Sequence, residues 1–132
     1  QAAMLRVKLE VLDNWNARRA AIAEHYLSEL CAHGVVLPPA DDACRSSWHL
    51  FVIRVDRRDE LQKFLADRGI GTLIHYPIPP HMQEAYSAAG FSAESFPIAS
   101  RHAQQLLSLP IGPHLSMESA KRVTTAIKDF GG

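Results

Sequence analysis

Residues 48–55 read WHLFVIRV, an eight-residue run rich in aromatic and β-branched side chains and apolar on both faces over much of its length. A strand of this kind has no face to leave in water, so it belongs in the middle of a sheet. The next residues supply cover for one face. Asp56 stands where a helix cap is needed, Asp59 falls in the first turn, Leu61, Phe64 and Leu65 form a buried stripe, and Gly69 lies just past the end. Residues 70–76, IGTLIHY, then return as a second strand with a bend at Gly71. The expected unit is strand, helix, strand, crossing one side of a sheet.

The first thirty residues form one long helix. Met4, Val7, Val11, Trp15, Ile22, Tyr26 and Leu30 make an apolar stripe that is expected to face the core. Leu5, Leu9 and Leu12 add a second apolar row to the first half only. An isolated domain would leave that row bare, and bare apolar rows mark docking surfaces. The helix also begins at Gln1 with no Ser, Thr, Asp or Asn to cap it. Together these features lead us to expect a helix cut into at its start and a missing neighbour, in the same chain or a partner chain.

His33-Gly34 offers a left-handed helix terminus, residues 35–37 a short edge strand before Pro38-Pro39, and residues 38–47 a loop without period. Residues 81–89 read as a short helix closed by Gly90, and residues 96–106 as a helix with Pro97 in its first turn. Residues 107–111 are strand-like. The last helix opens at Ser116, carries Glu118 in its first turn, buries Ala120, Val123, Ile127 and Phe130, and meets Gly131. The expected fold class is α/β: a small two-layer domain over residues 1–132, with a short, mainly antiparallel or mixed sheet packed with helices.

Charge and cysteine content exclude several functions. Lys plus Arg and Asp plus Glu both total 14, giving zero formal charge and no basic face that would track nucleic acid. The basic cluster Arg54, Arg57 and Arg58 is interleaved with Asp56 and Asp59. Cys31 and Cys44 fit neither a disulfide framework nor a zinc knuckle. No apolar stretch approaches a membrane span, and no signal-peptide pattern opens the chain, so a cytoplasmic protein with no membrane partner is expected.

Seven histidines raise the question of a metal, but His75 and His81 match no zinc spacing, and His25, His33, His49, His102 and His114 are scattered. No metal site is expected. There is no GxSxG elbow and no glycine-rich phosphate loop. Residues 74–86, IHYPIPPHMQEAY, differ in kind. A strand that ends in His75-Tyr76 and breaks into Pro77, Pro79 and Pro80 sets an imidazole and a phenol at a sheet edge on stiff backbone. Such groups suit hydrogen bonding to hydroxyls or phosphates; capping the edge of the core is the alternative role. His81, Gln83 and Tyr86 follow on the short helix.

With these segments in view, the chain resembles the C-terminal region of the DegT/DnrJ/EryC1/StrS family of sugar-nucleotide aminotransferases. QAAMLRVKLEVLDNWNARRAAIAEHY is similar to the family's long linking helix, WHLFVIRV to the strand after it, GIGTLIHYPIPPHMQEAY to its C-terminal motif, and SFPIASRHAQQLLSLPIGPHLS to its ending. The resemblance implies the small C-terminal domain of an aspartate-aminotransferase-type (fold type I) enzyme, with residues 1–33 as the interdomain helix and the large domain that binds pyridoxal phosphate (PLP) absent. It further implies a homodimer in the full-length enzyme, and transfer of an amino group, usually from glutamate, to a keto group of a nucleotide-linked deoxysugar.

The Schiff-base lysine of the family belongs to a motif not found here, and Lys8, Lys63, Lys121 and Lys128 do not match it. No catalytic or cofactor-binding residue is therefore expected in this chain. His75 and Tyr76, with His81 and Gln83, are carried over as substrate-side groups. Ser100 departs from the acidic residue common in the family, and the contact it changes is expected to be a surface one. A free-standing α/β module that binds or senses a small ligand is the competing reading; a histidine-based metal hydrolase is a third.

Overall fold

A computed structural model describes residues 1–39 and 44–131. Helix α1 spans Ala2–Leu30, strand β1 Phe51–Arg54, helix α2 Arg58–Ala66, helix α3 Pro97–Gln105, strand β2 Leu106–Leu109 and helix α4 Met117–Gly131. Between α2 and α3 the chain makes three short 3-10 turns, Pro80–Met82, Glu84–Ala89 and Ala93–Ser95. The α/β fold class is as read from the sequence.

β1 and β2 pair antiparallel, with Phe51 opposite Leu109 and Ile53 opposite Leu107. Single bridges extend the sheet on both sides, Val36 to Arg54 and Leu73 to Ser108. The order across the sheet is therefore Val36, β1, β2, Leu73, and β1 sits inside it as its two-faced apolarity required. Phe51, Ile53, Leu107 and Leu109 point to one face and are buried with Leu61 and Leu65 of α2, the second half of α1 and the apolar side of α4. Val52, Arg54, Leu106 and Ser108 alternate onto the other face.

The core is built around Tyr26, which is fully buried, packs edge-on against Phe51 at 5.0 Å and donates its hydroxyl to the Pro110 carbonyl at 2.8 Å. That bond ties α1 to the segment leaving β2, across most of the chain. Lys128 of α4 reaches Glu29 of α1, and its hydrogen bond and charge hold the Glu29 carboxyl below the usual carboxylate range. Among the described residues, Arg58 is the one charged side chain that is buried. Its guanidinium donates to the carbonyls of Ala103 and Leu106 at 3.1 and 3.2 Å, closing the end of α3 where the chain turns into β2.

Several expectations are corrected. The strand expected over residues 48–55 is confined to Phe51–Arg54, because Trp48 takes φ +50° and breaks the extended run. Asp56 does not cap α2; it accepts a hydrogen bond from Gln105 at 2.7 Å, and Arg57 occupies the cap position without a side-chain bond. The return strand over residues 70–76 contracts to one bridge at Leu73, with β2 inserted between it and β1. Residues 81–89 form two 3-10 turns rather than one helix, because Gln83 between them is extended at ψ 148° and interrupts the winding. α1 ends at Leu30, short of residue 33. Its apolar stripe divides: Ile22, Tyr26 and Leu30 are buried, whereas Met4 and Val7 are 73% and 65% exposed. Leu5, Leu9 and Leu12 are exposed as well, so the first half of α1 is bare on both rows.

Other expectations hold. Gly69 adopts φ +71° past α2, and Ile70 N–H bonds to the Leu65 carbonyl across the turn. Ser116 accepts from the Ser119 amide at 3.1 Å and caps α4. Of the loop expected over residues 38–47, residues 40–43 lie outside the described residues.

Candidate functional site

The sheet face opposite the core meets the proline corner and α3, and a cleft of about 280 Å³ opens between them. It is lined by His75, Tyr76, Gln83 and His102, with Pro79, Pro80 and Leu106 among the apolar walls. The His75-Tyr76 peptide is cis. A larger groove of about 460 Å³ lies between α4 and the turn that follows α2, lined there by Arg68 and Ile70, but it is a shallow channel on the outer surface and holds none of the expected site residues.

Each imidazole in the cleft is held from the second face of the sheet. Ser108 of β2 places its hydroxyl 2.8 Å from His75 Nδ1. Arg54 of β1 donates from its guanidinium to His102 Nε2 at 3.0 Å. Because a guanidinium only donates, His102 Nε2 accepts, and a ring proton on a neutral His102 sits at Nδ1. The Tyr76 ring stands edge-on to His75 at 5.6 Å and is exposed. These are hydrogen-bonding groups on rigid supports, fit to orient a hydroxylated or phosphorylated ligand.

Of the residues expected from the sequence, the structure brings His75, Tyr76 and Gln83 to one cleft. His81 is not among its lining residues. It packs against Phe96 at 4.8 Å and bonds through Nε2 to Ser100 at 3.3 Å. The Ser100 hydroxyl donates to the Ala93 carbonyl, so the hydrogen toward His81 comes from the imidazole. Ser100 is thus half-buried against His81 and is more than a surface contact. His102 is the lining residue that sequence reasoning passed over. Its signal was there: Ala99, His102, Ala103 and Leu106 recur at i, i+3, i+4 and i+7, so a histidine stands on the apolar face of α3, and all four line the cleft.

Among the described residues, no group of three or more His, Cys, Asp or Glu side chains gathers where it would hold a metal. No helix among the described residues is long and apolar enough to cross a membrane.

The sequence model of the DegT/DnrJ/EryC1/StrS aminotransferase family matches residues 1–128. The chain belongs to this family. Among curated relatives, it is 52% identical over 129 residues to the erythromycin biosynthesis sensory transduction protein EryC1 of Saccharopolyspora erythraea, covering 97% of this chain and 35% of that protein. It is 47% identical over 131 residues to the dTDP-3-amino-3,4,6-trideoxy-alpha-D-glucose transaminase of Streptomyces venezuelae, covering 98% and 35%. The solved structure of S. venezuelae DesV in complex with a ketimine intermediate superposes with a TM-score of 0.95 at 47% identity, over 99% of this chain and 36% of that one. The chain thus spans about a third of the length of these family members.

The cofactor of such aminotransferases, PLP, reacts through a lysine amine. The cleft contains none. Lys63 pairs with Asp67 at 2.8 Å, Lys128 pairs with Glu29, Lys8 lies on the exposed first half of α1, and Lys121 borders the outer groove beside α4. No arginine lines the cleft either. The residues present do not fit the cofactor, and no step through it is assigned to them.

Proposed function

We propose that residues 1–132 are the C-terminal small domain of a PLP-dependent sugar aminotransferase, with α1 as its link to a large domain that holds the cofactor and its lysine. The full-length enzyme transfers an amino group, from glutamate, to a keto group of a dTDP-linked deoxysugar, and acts as a homodimer. The observation that carries the reading is the superposition on DesV at 47% identity over nearly the whole chain. The bare first half of α1 supports it, since Leu5 and Leu9 are 58% and 64% exposed and need a covering surface.

In this reading the cleft forms one wall of the substrate site. His75, Tyr76 and Gln83 bind sugar hydroxyls or phosphate oxygens, and the prolines keep them in place as the site closes. His81 serves the same site at one remove, by bracing the corner through Ser100 and Phe96.

The test is paired. The full-length protein is expected to show the absorbance of lysine-bound PLP and to aminate a dTDP-keto-deoxysugar with glutamate; residues 1–132 alone are expected to show neither. Leu9→Glu is expected to leave the folding of residues 1–132 intact and to impair assembly of the full-length enzyme. Turnover by residues 1–132 alone would refute the division of labour. An encoded start codon next to residue 1, with self-association covering α1, would favour the small-ligand module instead.

A further inference from the structure

We infer that Ser108 is a positioning residue that fixes the tautomer of His75, so that the cleft presents an N–H at Nε2 to an acceptor oxygen of the substrate. The inference rests on the proposed role of the cleft. Ser108 is buried, and its amide and carbonyl are both tied to Leu73, donating to the Leu73 carbonyl at 2.8 Å and accepting from the Leu73 amide at 3.2 Å. Its hydroxyl has His75 Nδ1, at 2.8 Å, as its side-chain partner.

A buried hydroxyl hydrogen without an acceptor is costlier than a spare lone pair. The Ser108 hydroxyl therefore donates, Nδ1 accepts, and the neutral ring carries its proton on Nε2. The opposite tautomer would set the Nδ1 hydrogen against the Ser108 oxygen and leave the serine hydrogen stranded beside the sheet. Because Ser108 alternates with Leu107 and Leu109, whose side chains are in the core, its hydroxyl cannot leave this face without a shift of β2. The ligand class follows from the chemistry. An outward N–H recognises a phosphate, keto or hydroxyl oxygen, and it discriminates against a ligand that offers only a donor there.

The experiment uses the full-length enzyme carrying this chain, with dTDP-3-amino-3,4,6-trideoxy-α-D-glucose and 2-oxoglutarate as the reverse-direction probe. Nitrogen NMR of labelled histidine reads the tautomer directly, and Ser108→Ala is expected to lower the Nε2–H fraction of His75 from near complete toward the mixture of a free imidazole. KM for the aminosugar is expected to rise about 3- to 10-fold, the worth of one neutral hydrogen bond, with kcat nearly unchanged. Ser108→Thr, which restores a hydroxyl, is expected to recover both readouts. His75→Gln, whose amide nitrogen stands near the place of Nε2, is expected to bind better than His75→Asn, and Ser108→Ala is expected to add nothing to His75→Asn.

An unchanged tautomer in Ser108→Ala, or an equal KM rise on either His75 background, would overturn the assignment to Ser108. A changed tautomer together with His75 variants that bind normally would instead overturn the substrate role of the cleft, and the inference with it. Lost folding in Ser108→Ala, reported by circular dichroism and corrected by Ser108→Thr only in stability and not in tautomer, would reduce the residue to a structural one and overturn the inference.

Discussion

Replacing Tyr26 by Phe removes one oxygen from the centre of the domain, and the structure separates what that oxygen does from what the ring does. The ring is fully buried between α1 and the sheet and meets Phe51 edge-on at 5.0 Å. Tyr26→Phe keeps it. What is lost is the 2.8 Å bond to the Pro110 carbonyl, and because Pro110 is half-buried, water can reach part of the orphaned acceptor. The expected cost is about 1 kcal/mol, the lower part of the range for a buried partner left alone. Tyr26→Ala empties the ring volume as well and is expected to cost about 3–5 kcal/mol. Equilibrium unfolding in urea reads both as midpoint shifts at constant slope.

The hydroxyl also makes a pH prediction. Burial pushes its pKa well above the ordinary tyrosine value of about 10. A folded pKa above the unfolded one means the contribution is complete below the unfolded value and is lost as pH rises beyond it. Stability of the parent is therefore expected to fall above about pH 10 by up to about 1.4 kcal/mol per pH unit more than that of Tyr26→Phe. Equal losses for Tyr26→Phe and Tyr26→Ala, or identical alkaline slopes with and without the hydroxyl, would refute the separation of ring from hydroxyl.

Arg58→Ala leaves the Ala103 and Leu106 carbonyls without their donor at the α3 to β2 junction, and a loss of about 2–3 kcal/mol is expected in the same unfolding assay, with Arg58→Lys recovering little of it because one ammonium does not reproduce the planar fork. Gly69→Ala meets no atom within 4 Å of the added methyl, so its expected cost of about 1–2 kcal/mol is the left-handed backbone alone; a Tm equal to that of the parent would contradict this. Glu29→Gln breaks the pair with Lys128, and since the Glu29 carboxyl titrates below its unfolded value, the parent is expected to lose its small advantage over the variant as pH falls through the carboxylate range.

The elements that were legible in the sequence are those whose signal is local. Gly69 past α2 and Ser116 before α4 act within one turn of chain, and both are where the sequence put them. The proline corner at residues 77–80 could be read as a rigid presenter of His75 and Tyr76 because proline restricts backbone wherever it occurs. Asp56 shows the limit of such reasoning. It has the right side chain for a cap, but Gln105, forty-nine residues away, competes for its carboxylate and wins.

The sequence by itself determined that this chain builds an α/β domain around a two-faced strand, with a long helix greasy beyond what its own core can cover, and the four quoted segments marked its family. Only the tertiary structure decided that Ile22, Tyr26 and Leu30 are buried while Met4 and Val7 on the same stripe are bare, since periodicity gives the face of a helix and not how far the core extends along it. It also decided that β2 inserts between β1 and Leu73, which carries Ser108 to His75 and Arg54 to His102. Those pairs are separated by 33 and 48 residues, and no spacing rule relates them, because the sheet order that joins them is fixed by packing over the whole domain.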